Sequence, residues 1–363
     1  MTSFCVYFAI TSHGFGHATR TAAVIAALQT QAAQQGLEVK VIVATTAPIW
    51  LLESYITQPF TYHPVILDIG VVQSDSFTMD KVSTLAKLQE LYQNQAAIIE
   101  RELVVIKQHQ VDLIFADLPP LAIAIAQRAG IPCWAASNFG WDLIYGAWPG
   151  FELIVEWIQA LHRQCDLLLR LPFHEPMASF PRMMDCGFTG GSPKYEINSL
   201  RHRLNLSSDR PTALLTFGGL SLDAIPYHQL AHFPDWQFLT FDAKAPELPN
   251  LIRLNGDHDL RPVDLMPLCD RLIAKPGYST LSEACRHQLP TVCLTRPDFP
   301  EAEYLVAGLQ QYNHHLIISP QEFYESDWQF MHQELQLPTG SQLPANQAEQ
   351  AIAHQLITYL NSL

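Results

Sequence analysis

Residues 4–35 read FCVYFAITSHGFGHATRTAAVIAALQTQAAQQ, and this stretch decides the fold. Phe4–Ile10 is a β-rich apolar run, Thr11–Gly16 is a loop carrying two glycines, and a small-residue helix runs from about His17 to Gln35. Outward from it, Val39–Thr45 is a second strand of continuous apolar character, as a parallel sheet buried on both faces requires. Thr78–Gln110 has helical spacing, with Leu85, Leu88, Leu91, Ile98, Ile99, Leu103 and Ile106 on one stripe. Val111–Ala116 reads as a strand, Pro120–Ala129 as a helix and Ile131–Ala136 as another strand. Strands alternating with helices across short Gly/Pro connections are the signature of a doubly wound α/β domain.

The alternation pauses at Gly187–Pro211, which holds Gly190, Gly191, Pro193 and a short polar helix with Arg201 and Arg203. It restarts with strands at Thr212–Phe217, Gln237–Phe241, Leu251–Leu254, Arg271–Ala274, Thr291–Thr295 and His315–Ile318. The expected division is an N-terminal Rossmann-like domain over 1–190 and a C-terminal one over 191–345. A final helix, 346–363, has no strand after it and is expected to pack back on the first domain.

Bulk properties agree with two ordinary cores. The 363 residues exceed what one core usually holds, and 48% hydrophobic with 15% charged residues is a well-packed globular composition. A formal net charge of −14, with no Lys/Arg cluster, argues against nucleic acid and anionic lipid as partners. Cys5, Cys133, Cys165, Cys186, Cys269, Cys285 and Cys293 form no CxxC pair and read as reduced thiols. The first residues lack a basic n-region and a cleavage site, and no stretch approaches the roughly 20 apolar residues of a membrane span. A cytoplasmic location is therefore expected.

Five segments carry chemistry. In Ser12-His13-Gly14-Phe15-Gly16-His17, the dinucleotide fingerprint GxGxxG is absent, because Thr19 stands at its third glycine. The loop instead places His17 at a helix start, as a general base or as a residue capping its own helix. The spacing of His13 and His17 lacks the third ligand of a zinc site. Asp117 ends a parallel strand, where it either orients that imidazole or caps the next helix. Gly218-Gly219 follows the first strand of the second half, as an anion nest or a plain turn. In Lys275-Pro276-Gly277-Tyr278-Ser279-Thr280-Leu281-Ser282-Glu283, the helix start suits a diphosphate with Lys275 nearby. Glu283 then either accepts ribose hydroxyls or closes a capping box. Arg296, Asp298 and Glu301 sit in a loop after a strand, whose carboxylates either accept from sugar hydroxyls or belong to an ordinary acidic loop. Asp257-His258-Asp259 spells a DxD but lies in a polar loop, so no metal site is assigned.

Together these segments resemble GT-B glycosyltransferases, the group with the peptidoglycan N-acetylglucosaminyltransferase and the plant UDP-glucosyltransferases. The likeness is strongest to the glycosyltransferase-like N-terminal domain of plant L-arabinokinase and its free-standing bacterial relatives. It rests on His13–Arg20, Ser137-Asn138-Phe139-Gly140-Trp141-Asp142-Leu143-Ile144-Tyr145, Phe217–Gly219, Gly277–Ala284 and Arg296–Glu303, in order along nearly the whole chain. SNFGWDLIY and GYSTLSEA are its specific motifs. The resemblance implies an α/β GT-B fold, two Rossmann-like parallel-sheet domains facing a cleft. It implies His17 as catalytic base with Asp117 as partner, and diphosphate contacts at Gly218, Gly219, Ser279 and Thr280, to which the chemistry of the Lys275–Glu283 segment adds Lys275 and Gly277. Glu283 falls on the ribose position and Arg296, Asp298 and Glu301 on the donor-sugar side. His13, Gly16, Asn138, Trp141 and Asp142 fall on the acceptor side, with Trp141 placed to stack on a sugar or aglycone. The expected activity is inverting, metal-independent transfer from a UDP-sugar co-substrate, with no cofactor, to an acceptor hydroxyl. A non-catalytic nucleotide-sugar or sugar-phosphate binding module, and a sugar-nucleotide epimerase or hydrolase, are the alternatives. No galactokinase-type ATP loop is found here, so arabinokinase activity is not expected.

Overall fold

The computed structural model describes residues 3–73, 78–218, 225–255 and 259–363. Residues up to 190 form one compact unit together with 344–363, and 191–343 form a second.

The first unit holds a seven-stranded sheet of β1 (Ser3–Ile10), β2 (Glu38–Ala44), β3 (Thr61–His63), β4 (Leu113–Asp117), β5 (Cys133–Ser137), β6 (Leu167–Arg170) and β7 (Met183–Asp185). Its order is β3-β2-β1-β4-β5-β6-β7, with every neighbouring pair parallel. The order reverses between β1 and β4, which makes their carboxyl ends the topological switch point where α/β sheets bind ligands. Ile10 pairs with Asp117 there, and the Thr11 N–H donates to the Asp117 carbonyl at 3.0 Å. Residues Cys5–Ile10 are buried in succession, and Phe8 packs on Phe115 of β4 at 5.2 Å. Such continuous burial is what a helix layer on each face produces.

Lys81–His109 is one of those helices. Asp80 caps it by accepting from the Ser83 N–H at 2.9 Å, and Gln110 ends it in the left-handed region. Of the predicted stripe, Leu88, Leu91, Ile98, Ile99 and Ile106 are buried, each contributing roughly 1.5–3 kcal/mol. The last helix, Ala348–Leu360, packs on the helix Gly16–Gln34, and Gln31 Nε2 donates to Gln350. The chain returns to the first unit beside Gly187, where a β-carbon would lie 2.0 Å from the Ala345 carbonyl oxygen. We expect Gly187→Ala to lower unfolding stability by about 1–3 kcal/mol in urea titration, because backbone must move to admit the methyl.

The second unit repeats the plan with β8 (Thr212–Thr216), β9 (Gln237–Thr240), β10 (Leu251–Arg253), β11 (Arg271–Ala274), β12 (Thr291–Leu294) and β13 (His315–Ile318). The order β10-β9-β8-β11-β12-β13 is again all parallel, with its switch point between β8 and β11. No helix among the described residues is long and apolar enough to cross a membrane. All seven cysteines are free thiols, five of them buried.

Candidate functional site

In the first unit the switch point gathers three charged or ionisable side chains. His17 lies in the first turn of the helix Gly16–Gln34, but that helix is capped by Phe15 without a side-chain bond, so the imidazole is not its cap. The ring turns to β4 instead, with Nδ1 2.8 Å from Asp117 Oδ1. An ionised carboxylate only accepts, which assigns the proton to Nδ1 and the lone pair to Nε2. The hydrogen bonds of His17 within the described residues fall on Nδ1, so Nε2 remains able to take a proton. The residue is 9% exposed and meets the ring of Phe139 edge-on.

Asp117 is the last residue of β4, and Pro119, not Asp117, stands at the N-cap of the following helix. Its carboxylate is buried and accepts from His17, from Thr21 Oγ1 at 2.6 Å, and twice from Arg20. Arg20 places Nε 2.7 Å from Oδ2 and Nη2 2.5 Å from Oδ1, a two-pronged pairing. Burial alone pushes the Asp117 carboxyl up. The Arg20 guanidinium, the His17 ring and their hydrogen bonds outweigh it and hold the group well below the usual carboxylate range. Arg20 was quoted within the His13–Arg20 segment, yet nothing in its spacing singled it out. It is buried, and also donates to Asn138 Oδ1 at 2.9 Å and Ser137 Oγ at 3.3 Å. Its Nη2 stands 3.0 Å from His17 Nδ1 because both donors converge on the same Asp117 oxygen.

A second buried carboxylate braces the loop before the helix. Asp68 accepts from Thr11 Oγ1 at 3.0 Å and from Trp141 Nε1 at 2.8 Å, and burial pushes it up to about 6. Trp141 is fully enclosed. It stacks on Tyr145 at 5.6 Å and meets His13 and Phe139 edge-on at 5.3 and 5.2 Å. The expectation that Trp141 stacks on a sugar or aglycone is therefore corrected, because no face of the indole reaches solvent. Asn138 is equally enclosed and serves as an acceptor for Arg20. His13 Nδ1 accepts from the Val71 N–H, so it and His17 turn to different partners. Gly16 opens the helix and its carbonyl accepts from Thr19. Asp142 joins a separate polar group with Ser179 at 3.3 Å and His162 at 3.5 Å. Trp141→Phe strips Asp68 of one donor, and a stability loss of about 1–3 kcal/mol is expected in chemical denaturation.

In the second unit, Gly218 follows β8 with φ +75°, and a β-carbon there would lie 3.5 Å from Lys275 Cε and 3.8 Å from Nζ. The lysine therefore lies over the glycine at the β8/β11 switch point. Gly219 is outside the described residues. The helix Tyr278–Arg286 starts from Gly277 with no side-chain cap, so Glu283 closes no capping box. Its Oε1 instead accepts the Gly191 N–H at 2.8 Å, and burial pushes its carboxyl up to about 7. No hydrogen bond within the described residues falls on Glu283 Oε2. Ser279 is buried and Thr280 half-buried in the first turn of the same helix. Arg296 is buried with its guanidinium 4.1 Å over the Phe299 ring, Asp298 is exposed, and Glu301 is buried as the first residue of the helix Glu301–Tyr312. Asp257 and His258 of the DxD segment lie outside the described residues. Asp259 is an exposed partner of Arg203 and Tyr195.

No family model matches the chain. Over 318 residues it is 31% identical to L-arabinokinase of Arabidopsis thaliana, a match covering 84% of this chain and 29% of that protein. This chain is a homologue of part of L-arabinokinase. It spans less than a third of that relative's length. Among solved structures, the glycosyltransferase SnogD from Streptomyces nogalater superposes with a TM-score of 0.56 at 16% identity, over 99% of this chain and 95% of that one. A protein from Listeria monocytogenes assigned as a UDP-N-acetylglucosamine 2-epimerase gives 0.54 at 11% identity, over 99% and 96%. At such identities the likeness is one of fold, and with the two six-or-more-stranded parallel sheets it establishes GT-B architecture.

Within this GT-B chain, the arabinokinase-like segments sort by unit. His17, Asp117 and Asn138 meet in one network, and Gly218 and Lys275 meet in the other. The GT-B pattern in the sequence did not announce Arg20, Thr21 or Asp68.

Proposed function

We propose that this chain is an inverting glycosyltransferase that moves a sugar from a UDP-linked donor to an acceptor hydroxyl without a metal ion. The observation that carries the reading is the His17–Asp117 pair at the β1/β4 switch point, with Nε2 left as the proton acceptor. His17 Nε2 takes the acceptor's hydroxyl proton as that oxygen attacks the anomeric carbon, opposite the departing diphosphate. Asp117 holds the reactive tautomer and offsets the charge formed on the ring. Glu283 accepts from the ribose, and the first turn of the helix Tyr278–Arg286 with Lys275 stabilises the leaving diphosphate. The fold shared with the glycosyltransferase SnogD supports transfer of sugars, the homology to part of L-arabinokinase supports a sugar as ligand, and the fold partner named for a UDP-sugar supports the nucleotide.

The test is to incubate the protein with UDP-sugars, with and without hydroxyl acceptors, and follow products by proton NMR. Acceptor-dependent UDP release with inverted anomeric configuration is expected. An epimerised sugar nucleotide without acceptor would replace the reading with the epimerase one, and binding without any product would replace it with a binding module. Activity is expected to survive EDTA treatment, since the proposed anion stabilisers are protein groups; loss of turnover restored by added magnesium would contradict that part. UDP affinity is expected to tighten as pH rises through about 7, where Glu283 ionises and becomes the better acceptor. Isothermal titration across that range checks it.

A further inference from the structure

The proposed mechanism uses the His17–Asp117 pair but leaves unexplained a cation buried against it. Arg20 pairs with both Asp117 oxygens and donates to Asn138 and Ser137, so four hydrogen bonds fix one guanidinium. It lies 3% exposed, and Asp117 1%. We propose that Arg20 is a positioning residue: it aims the Asp117 carboxylate at His17 Nδ1 and holds a positive charge beside the ring that opposes its protonation. This inference rests on the reading of His17 as the base.

Charge balance in a buried cluster carries it. The Arg20 guanidinium offsets the Asp117 carboxylate, so of the two carboxylates that face the ring only Asp68 is left without a cation. A charge added to the ring would lie 3.0 Å from the buried guanidinium, and a like charge disfavours it. The groups facing His17 are Asp117 from β4, Arg20 from its own helix, the Phe139 ring from the segment after β5, and Asp68 from the segment after β3. Asp68 is itself held by Thr11 and Trp141. Arg20 is the nearest cation among these. Remove it, and the ion available to balance Asp117 is a protonated His17, which cannot act as a base.

The variant Arg20→Met keeps the length and removes the charge, and Arg20→Lys keeps the charge while losing the two-pronged pairing. The readout is the protonation of the His17 ring by nitrogen-15 NMR in the free full-length protein, assigned by the signal missing from His17→Gln. Arg20→Met is expected to move the His17 protonation midpoint to higher pH, with the acid limb of the rate profile following it and about tenfold of activity lost per pH unit of displacement. Arg20→Lys is expected to leave the midpoint near the wild-type position and lower kcat with KM for the donor unchanged. Folding is checked by circular dichroism, and if Arg20→Met does not fold, Arg20→Lys decides: a midpoint displaced upward despite the retained charge overturns the proposal. A superimposable titration in folded Arg20→Met overturns it as well. Should the midpoint move while the wild-type protein shows no turnover, the charge role stands and the transferase reading fails.

Discussion

Sugar transfer by His17→Ala is expected to fall by ~10²–10⁴-fold, the usual contribution of a positioned base, while UDP binds as in the unmodified protein. The two halves of that result have different physical origins. His17 lies at the β1/β4 edge of the first unit, where its loss removes the proton acceptor. The proposed nucleotide contacts at Lys275, Ser279, Thr280 and Glu283 lie at the β8/β11 edge of the second unit. Isothermal titration with UDP and a coupled assay of UDP release measure the two separately. A variant that transfers sugar at the original rate would remove His17 from the chemistry. One that also loses UDP would show that the histidine serves the nucleotide or the fold.

Asp117→Asn is expected to do damage on two counts. The amide can still touch Nδ1, but its NH2 presents a donor where His17 needs an acceptor, so the reactive tautomer is no longer enforced. Turnover should fall by at least the hundredfold end of the His17 effect. In addition, Arg20 loses its counter-ion while remaining buried, and breaking a buried pair from one side costs about 3–5 kcal/mol. Urea unfolding measures that loss. Acid should reproduce it gradually. The folded carboxyl is held below its usual range, so its stabilisation is complete above the unfolded value near 4 and is lost as pH falls toward the folded one. Stability of Asp117→Asn that matches the unmodified protein would mean that Arg20 finds its balance elsewhere.

The sheets were legible in the sequence wherever burial was continuous. All six strands of the second unit and β1, β2, β4 and β5 of the first announce themselves as apolar runs between turn residues. Three did not. β3 and β7 have three residues each at the sheet's two edges, where one-sided burial leaves no pattern. β6 follows closely on the amphipathic helix Glu152–His162, and its Leu167–Leu169 run is too short to tell from that helix's stripe.

The meeting of His17 and Asp117 was legible, because one opens the helix after β1, the other ends β4, and a parallel sheet delivers both to one edge. Its supports were not. Trp141 looked like a ligand platform because an aromatic in a polar motif is ambiguous until its neighbours are known, and Tyr145, Phe139 and His13 enclose it. Arg20 and Asp68 depend on partners about 97 and 73 residues away along the chain, which no local spacing reveals.

A crystal structure of the protein with an unreactive UDP-sugar tests the account most directly. The ribose should rest on Glu283 Oε2 and the diphosphate on the first turn of the helix Tyr278–Arg286, with the anomeric carbon open to an oxygen hydrogen-bonded to His17 Nε2. A nucleotide lodged on another surface, or an anomeric carbon that no such oxygen can approach, would contradict it.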